Sequence, residues 1–316
     1  VSLKAASSTD VISLRNVTKR FDEFVAVKDL SFEVRRGTIF GLLGPNGAGK
    51  TTSIRMIVNI FAPDEGEVLV MGRHVSSELQ QRIGYLPEER GLYKKMELGA
   101  QLLFFASLKG LDQKVAAPRI DAWLERMELT EWKKKKPTEL SKGMQQKVQF
   151  IATAVHDPDV LILDEPFSGL DPVSVDLLKS IIIELRDKGK TVIFSTHQME
   201  QVEQMCDDIC LINHATKVLS GGLKEVKRRF GKNTVLLDYE GADSFLGPEL
   251  VKRVNRFPNY SEIMLAEGAD AQEILRRAIA AGARVNRFEL VEPSLHEIFV
   301  DSVTGRNGQN PDNHQA

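Results

Sequence analysis

The chain has 316 residues, 42% hydrophobic and 27% charged, an ordinary globular composition with room for about two domains at roughly 150 residues each. Its 42 Lys and Arg against 44 Asp and Glu leave a net charge of −2, so there is no basic field for bulk nucleic-acid binding, and no direct nucleic-acid partner is expected. No run approaches the ~18 consecutive apolar residues of a membrane span, and no charged-then-apolar leader opens the sequence, so a soluble, unsecreted chain is expected.

In chain order, residues 1–10 are small and polar and read as a flexible lead. From residue 11 to 231, β-rich runs alternate with helix-period segments, the pattern of an α/β domain. ISLRNVTKRF and LSFEV are predicted early strands, and TIFGLLG is a buried strand that ends on a glycine turn. VLILDEP and TVIFSTH are two further apolar strands closing on polar residues, and VSVDLLKSIIIELRDKG between them is a helix stopped at Gly189. EQVEQMCDDICLI reads as one helical run that puts Cys206 and Cys210, the only cysteines, on one core-facing side at i, i+4. A zinc or redox site would want more ligands than the nearby His214. Lys133–Lys136 reads as a solvated turn, with contact to anionic lipid as the alternative.

Residues 232–303 carry a strand–strand–helix–strand–helix rhythm, enough for a small accessory α+β domain. Residues 304–316 are polar, rich in Gly and Asn, and expected to be disordered.

Gly44-Pro45-Asn46-Gly47-Ala48-Gly49-Lys50-Thr51-Thr52 fits the phosphate loop G-x-x-x-x-G-K-[ST], with a predicted strand before it and a helical period, SIRMIVNIF, after it. Glycines let the backbone curl its N–H groups towards phosphate oxygens, and the following helix adds its positive end. Lys50 is the mobile cation for the β and γ phosphates, and the Thr51 hydroxyl suits Mg²⁺. A Rossmann loop would want a third glycine where this sequence has the lysine. Asp164 and Glu165 end the second apolar strand. Asp164 is the expected metal-side carboxylate, and Glu165 the group that polarises the attacking water.

Three further segments complete an ordered set of five motifs. Leu140-Ser141-Lys142-Gly143-Met144 resembles the LSGGQ signature of ABC ATPases, Ser168-Gly169-Leu170-Asp171 resembles their D-loop, and Ser195-Thr196-His197 resembles their switch histidine. YLPEERGLY, LSKGMQQK and the ending EPSLHEIFV are similar to one branch, the ATP-binding subunits of type-two ABC exporters for sodium and drugs. The resemblance implies an α/β P-loop NTPase of the ABC type, with a mixed sheet core, a helical subdomain carrying the signature, and a small C-terminal α+β domain. It further implies ATP with Mg²⁺, a head-to-tail dimer with a second ATPase subunit, an integral membrane permease, and a place on the inner face of the cell membrane.

Carried over by position, the signature residues Ser141, Lys142, Gly143 and Met144 would act in trans, with Ser141 and Gly143 on the γ-phosphate. His197 would contact the γ-phosphate, Asp171 would couple the two sites, and Phe21 would stack on adenine, with Phe24 the other candidate. Glu88 stands where the family has a Mg²⁺-sensing Gln; a carboxylate can ligate a cation but cannot donate a hydrogen bond. MELGAQLLFFASLKG is either a permease-docking helix or internal core. The accessory domain reads as a stabilising or dimer-supporting module, or as a regulatory ligand site. The alternative to a transporter subunit is a soluble ABC ATPase of assembly, ribosome or DNA work.

Overall fold

The structure, a computed structural model, describes residues 10–89, 91–230, 234–241 and 243–303. The lead expected over residues 1–10 and the tail expected over 304–316 lie outside these, except Asp10, which opens the first strand. The chain divides into two compact units at Gly222/Leu223.

The first unit opens with β1 (Asp10–Phe21), β2 (Phe24–Arg35) and β3 (Ile39–Leu43), then α1 (Lys50–Ile57), β4 (Glu65–Val70), α2 (Ser77–Gln80) and β5 (Ile83–Leu86). It continues through α3 (Leu98–Leu108), α4 (Gln113–Arg126), α5 (Lys142–Ala154), β6 (Val160–Asp164), α6 (Pro172–Asp187), β7 (Thr191–Thr196), α7 (Met199–Met205), β8 (Asp208–Asn213) and β9 (Thr216–Gly222). Strands β2-β1-β4 form an antiparallel sheet, and β5-β6-β7-β3-β8-β9 form a second sheet that is parallel from β5 to β8.

The central strands of the second sheet are buried along their whole length, which is why their sequences are continuous apolar runs and not alternating ones. Each fully buried Val, Ile, Leu or Phe in them contributes about 1.5–3 kcal/mol. Helix α1 sits in the core between the sheets: Ile54, Met56 and Ile57 share one cluster with Ile12, Leu14 and Val34 of the first sheet and Ile162, Ile193 and Ile212 of the second. The register pairs Leu43 with Thr196, Asp164 with Ser195 and Leu86 with Leu163. The carboxyl ends of β3, β5, β6 and β7 therefore stand side by side at one edge, where open α/β sheets hold their ligands.

The run around the cysteines corrects the sequence expectation. It is not one helix: α7 ends at Met205, Cys206 is its extended C-cap, and Cys210 lies inside β8. The break is electrostatic. Asp207 accepts the backbone N–H of Ile39 at 2.9 Å, and Asp208 pairs with Arg35, so both acids are held in an extended chain. Both thiols are buried as expected, Cys206 beside Gly41, and burial raises the pKa of Cys210 to about 12. Helix α3 divides between its two readings, burying Leu98, Leu102 and Ala106 while exposing Phe104 and Leu108. Lys133–Lys136 is a surface turn in which Lys133 pairs with Asp121 and Lys135 with Glu139.

The second unit opens with a helix, α8 (Leu223–Phe230), followed by β10 (Thr234–Glu240), β11 (Val251–Arg256), β12 (Ser261–Leu265), α9 (Ala271–Ala280), β13 (Arg284–Val291) and α10 (Leu295–Val303). Among the described residues of 232–303 it has one strand more than the rhythm read from sequence, and α8 lies before that range. Strand β11, VKRVNR, is too polar to announce itself. The sheet runs β11-β12-β10-β13, antiparallel throughout, and its core is Val235, Leu237, Ile263 and Leu265 against Ile274 and Ala278 of α9.

Candidate nucleotide site at the strand ends

The loop from Gly44 to Gly49 folds as it does because three of its residues need positive φ: Gly44 at 151°, Gly47 at 78° and Gly49 at 108°. Two of them also leave no room for a side chain. A Cβ on Gly44 would stand 2.1 Å from the carbonyl oxygen of Ile212, and one on Gly49 2.5 Å from that of Ala26. Pro45, Asn46 and Gly47 form the exposed crown, and Ala48 is buried beneath it. Lys50, Thr51 and Thr52 open α1, whose first N–H groups have no partner within the helix and face the loop with the positive end of the dipole. The predicted helix began at Ser53; the observed one starts at Lys50 because Gly49 provides the left-handed turn into it.

Lys50 curls back over its own loop. Its Nζ donates to the carbonyls of Gly44 at 2.8 Å and Pro45 at 3.1 Å, and lies 3.9 Å from Glu165 Oε1. Burial is the main influence on its pKa and lowers it, against the carboxylates of Glu165, Asp164 and Glu88, which raise it. Glu165 Oε1 also accepts from His197 Nδ1 at 2.9 Å. With a carboxylate as partner, Nδ1 carries the proton, which fixes the tautomer of the ring.

Asp164 is fully buried. One carboxylate oxygen accepts the Ser195 hydroxyl in a short hydrogen bond, and the other, Oδ2, has no hydrogen-bond partner. A buried carboxylate oxygen left in that state calls for a cation or the water bound to one. Thr51, which opens α1, and the exposed Glu88 after β5, whose charge reaches Lys50, would add further oxygen donors, a chemistry that would suit Mg²⁺.

Glu165 itself has φ 48°, a left-handed conformation uncommon outside glycine and followed here by a proline. Its N–H is held by Ser195, at 3.1 Å from the hydroxyl and 3.3 Å from the carbonyl. Ser195 thus braces both acids, a role the sequence reading left unassigned. The buried hydroxyl at the end of TVIFST was visible in the sequence; the register that sets it opposite Asp164 was not. Tyr85 was also missed. Burial raises its pKa, the Asp164 charge adds to this, and the Arg55 side chain opposes it through a hydrogen bond.

The remaining candidates stand apart from this cluster. Ser141 is the N-cap of α5 and accepts the Met144 N–H at 3.2 Å, with Lys142, Gly143 and Met144 forming the first turn. Among the described residues, none of the four shares a hydrogen bond with Lys50, Asp164, Glu165 or His197. Asp171 caps α6, accepting from both the backbone and the hydroxyl of Ser174, and these bonds lower its pKa. Phe21 and Phe24 pair across the β1–β2 turn and are 40% and 65% exposed. Phe21 already takes the edge of Phe61 at 5.3 Å.

A phosphate loop after β3, two acids at the end of β6 and a histidine directly after β7, the strand between them, define a P-loop ATPase of the cassette type. The family model described as "ABC transporter" matches residues 27–168, and that of the "ATP-binding protein DrrA1-3-like, C-terminal domain" matches residues 221–303. The chain is 43% identical over 294 residues to the uncharacterized ABC transporter ATP-binding protein YhaQ of Bacillus subtilis, spanning 93% of this chain and 98% of that one. It is 38% identical over 213 residues to the Nod factor export ATP-binding protein I of Burkholderia lata, spanning 66% and 70%. A solved ATP-binding subunit of an ABC transporter superposes with TM-score 0.66 at 29% identity, covering 70% of this chain and 93% of the other.

The chain belongs to the ABC transporter ATP-binding proteins. It is the ATP-binding subunit of such a transporter, and its activity is ATP hydrolysis. The soluble, non-transport alternative is thereby set aside. Among the described residues no helix is long and apolar enough to cross a membrane.

Proposed function

We propose that this chain hydrolyses ATP at the β3–β6–β7 edge and powers export through a separate integral membrane permease, working at the inner face of the cell membrane as a dimer with a second ATPase subunit. One observation carries the reading of the site: Lys50, Glu165 and His197 form a continuous chain of contacts beside a buried Asp164 oxygen that lacks a partner.

In this reading the backbone of Gly44, Pro45, Asn46, Gly47, Ala48 and Gly49, with Thr52, wraps the triphosphate. On ATP binding Lys50 Nζ exchanges its two carbonyl partners for β and γ oxygens, and Phe21 supports adenine. Thr51, Asp164 and Glu88 would hold Mg²⁺, which would supply positive charge to offset that of the phosphates. Glu165 accepts a proton from the water whose oxygen bonds to the γ-phosphorus while the bond from that phosphorus to the ADP oxygen breaks, giving ADP and phosphate. His197 orients the Glu165 carboxylate through Nδ1 and can follow the γ-phosphate.

Ser141, Lys142, Gly143 and Met144 complete the partner subunit's site in trans, and Asp171 couples the two. ATP favours the closed dimer because both chains contact its γ-phosphate, which ADP lacks. Export is supported by the likeness to a relative named for Nod factor export. The test is to express Glu165→Gln in cells, solubilise membranes with ATP and Mg²⁺ present, and identify what copurifies. A multi-span membrane protein is expected. A soluble dimer alone would contradict the permease.

A further inference from the structure

Helix α5 begins with the signature residues, but its buried face reaches the acids of its own chain. Gln146 is 2% exposed, and its Nε2 donates to the carbonyl of Pro166 at 3.1 Å. Pro166 directly follows Glu165. One turn further on, Gln149 Nε2 donates to the carbonyl of Glu89 at 3.3 Å, and Glu89 directly follows Glu88. One turn earlier, Gly143 lies so close to the same segment that a Cβ there would be 3.2 Å from the carbonyl oxygen of Gly169. One helix thus holds, by side-chain amides at i and i+3, the residue after each of two site acids.

The contact to Pro166 matters because Glu165 is poised in an uncommon conformation. Its φ of 48° precedes a proline, a strained conformation that persists only where the surroundings impose it. Ser195 grips the segment on the amino side of Glu165, and a turn closes on its carboxyl side through the Ser168 N–H to the Glu165 carbonyl at 3.1 Å. On this carboxyl side the Phe167 ring packs against Phe194 of β7, and the Gln146 amide ties the Pro166 carbonyl to α5.

We infer that Gln146 is a positioning residue for Glu165, by which the helix bearing the signature sets the angle at which the Glu165 carboxylate meets its water. The first turn of α5 and the Glu165 segment then move as one body, so contact made at the signature is felt at the chain's own hydrolytic acid. This rests on the role proposed for Glu165.

The test uses the purified full chain and four variants: Glu165→Gln, Gln146→Met, Gln146→Asn and the double variant Glu165→Gln/Gln146→Met. Methionine keeps length and bulk without the amide; asparagine keeps the amide but falls short of Pro166. Steady-state ATP turnover gives kcat and KM, and thermal melting gives Tm. Both single Gln146 variants are expected to lose about tenfold in kcat, one lost charge-free hydrogen bond at a strained acid. KM should stay within about twofold and Tm close to the parent. In the Glu165→Gln background Gln146→Met should cost nothing further, because it acts through the group already removed. Parental kcat in both Gln146 variants, a fall in Tm and KM together, or losses that multiply in the double variant would each overturn the inference. Should Glu165→Gln itself turn over normally, the site reading fails instead, and the two failures are separable.

Discussion

The two units solve the same problem of burying an apolar sheet face, yet treat their polar groups in opposite ways. Every buried side-chain oxygen or nitrogen left without a partner among the described residues lies in the first unit: on Ser13, Gln149, His156 and Asp164. In the second unit the buried Glu297 accepts from the backbone and hydroxyl of Ser294, which in turn accepts the Glu297 N–H. The buried Asp301 has Lys252. Arg276 and Arg277 pair with Asp270, Glu273 and Glu249 on the surface. Asp164 is the one carboxylate among the four. A fold that closes its polar accounts in one unit and leaves an acid open at a strand end in the other marks where a ligand is to be met.

The largest effect should come from breaking the open unit at its cation. Lys50→Ala is expected to lower ATP turnover by about a hundredfold or more and to weaken ATP binding, read by titration with a fluorescent ATP analogue. Next is a cut to the closed unit. Leu237, fully buried in its core, should cost about 2–5 kcal/mol of that unit's stability as Leu237→Ala. Denaturant melting should resolve this as an earlier transition, with ATP turnover of the folded chain kept within about twofold.

Ser195→Ala sharpens the comparison inside the first unit. It removes the hydroxyl shared by Asp164 and the Glu165 N–H, and should lower kcat about tenfold and lower Tm by several degrees in the ATP-free chain, since the buried Asp164 carboxylate loses its hydrogen-bond donor. The smallest effect concerns His156, another buried side chain left partly unpaired. Burial first, then the Lys109 ammonium, hold its pKa down to about 4. The unfolded chain therefore takes up this proton first as pH falls. The stability that depends on a neutral ring is full above pH 6.5 and is lost between 6.5 and 4. His156→Gln should flatten that stretch of the stability curve, measured by urea melts at several pH values.

Much of the first unit could be read from the sequence because its central strands are buried on both faces and end abruptly in polar residues. TIFGLLG, VLILDEP and TVIFSTH declare both the strand and its functional end. What stayed hidden depends on contacts across long sequence distances. The Ser195–Asp164 bond spans 31 residues, and the Gln146–Pro166 bond spans 20. EQVEQMCDDICLI kept a helical period across a real break because its apolar positions suit a short helix and then a buried strand equally well. In the second unit, β11 was lost for the opposite reason, since a half-exposed edge strand of VKRVNR has no apolar run. The composition boundary at residue 231 falls after α8, whereas the compact unit begins at Leu223. The basic, amphipathic LKEVKRRF of α8 therefore opens the second unit, although nothing in its composition separates it from the domain before it.

In the proposed mechanism, Glu165, braced by Ser195 and His197 beside Lys50, is the acid on which hydrolysis depends. The most direct measurement is single-site: ATP binding and turnover of Glu165→Gln compared with the parent chain. ATP affinity is expected within about twofold and turnover slowed by about a hundredfold or more, with Tm unchanged. Turnover equal to that of the parent, in a variant that binds ATP normally, would contradict it.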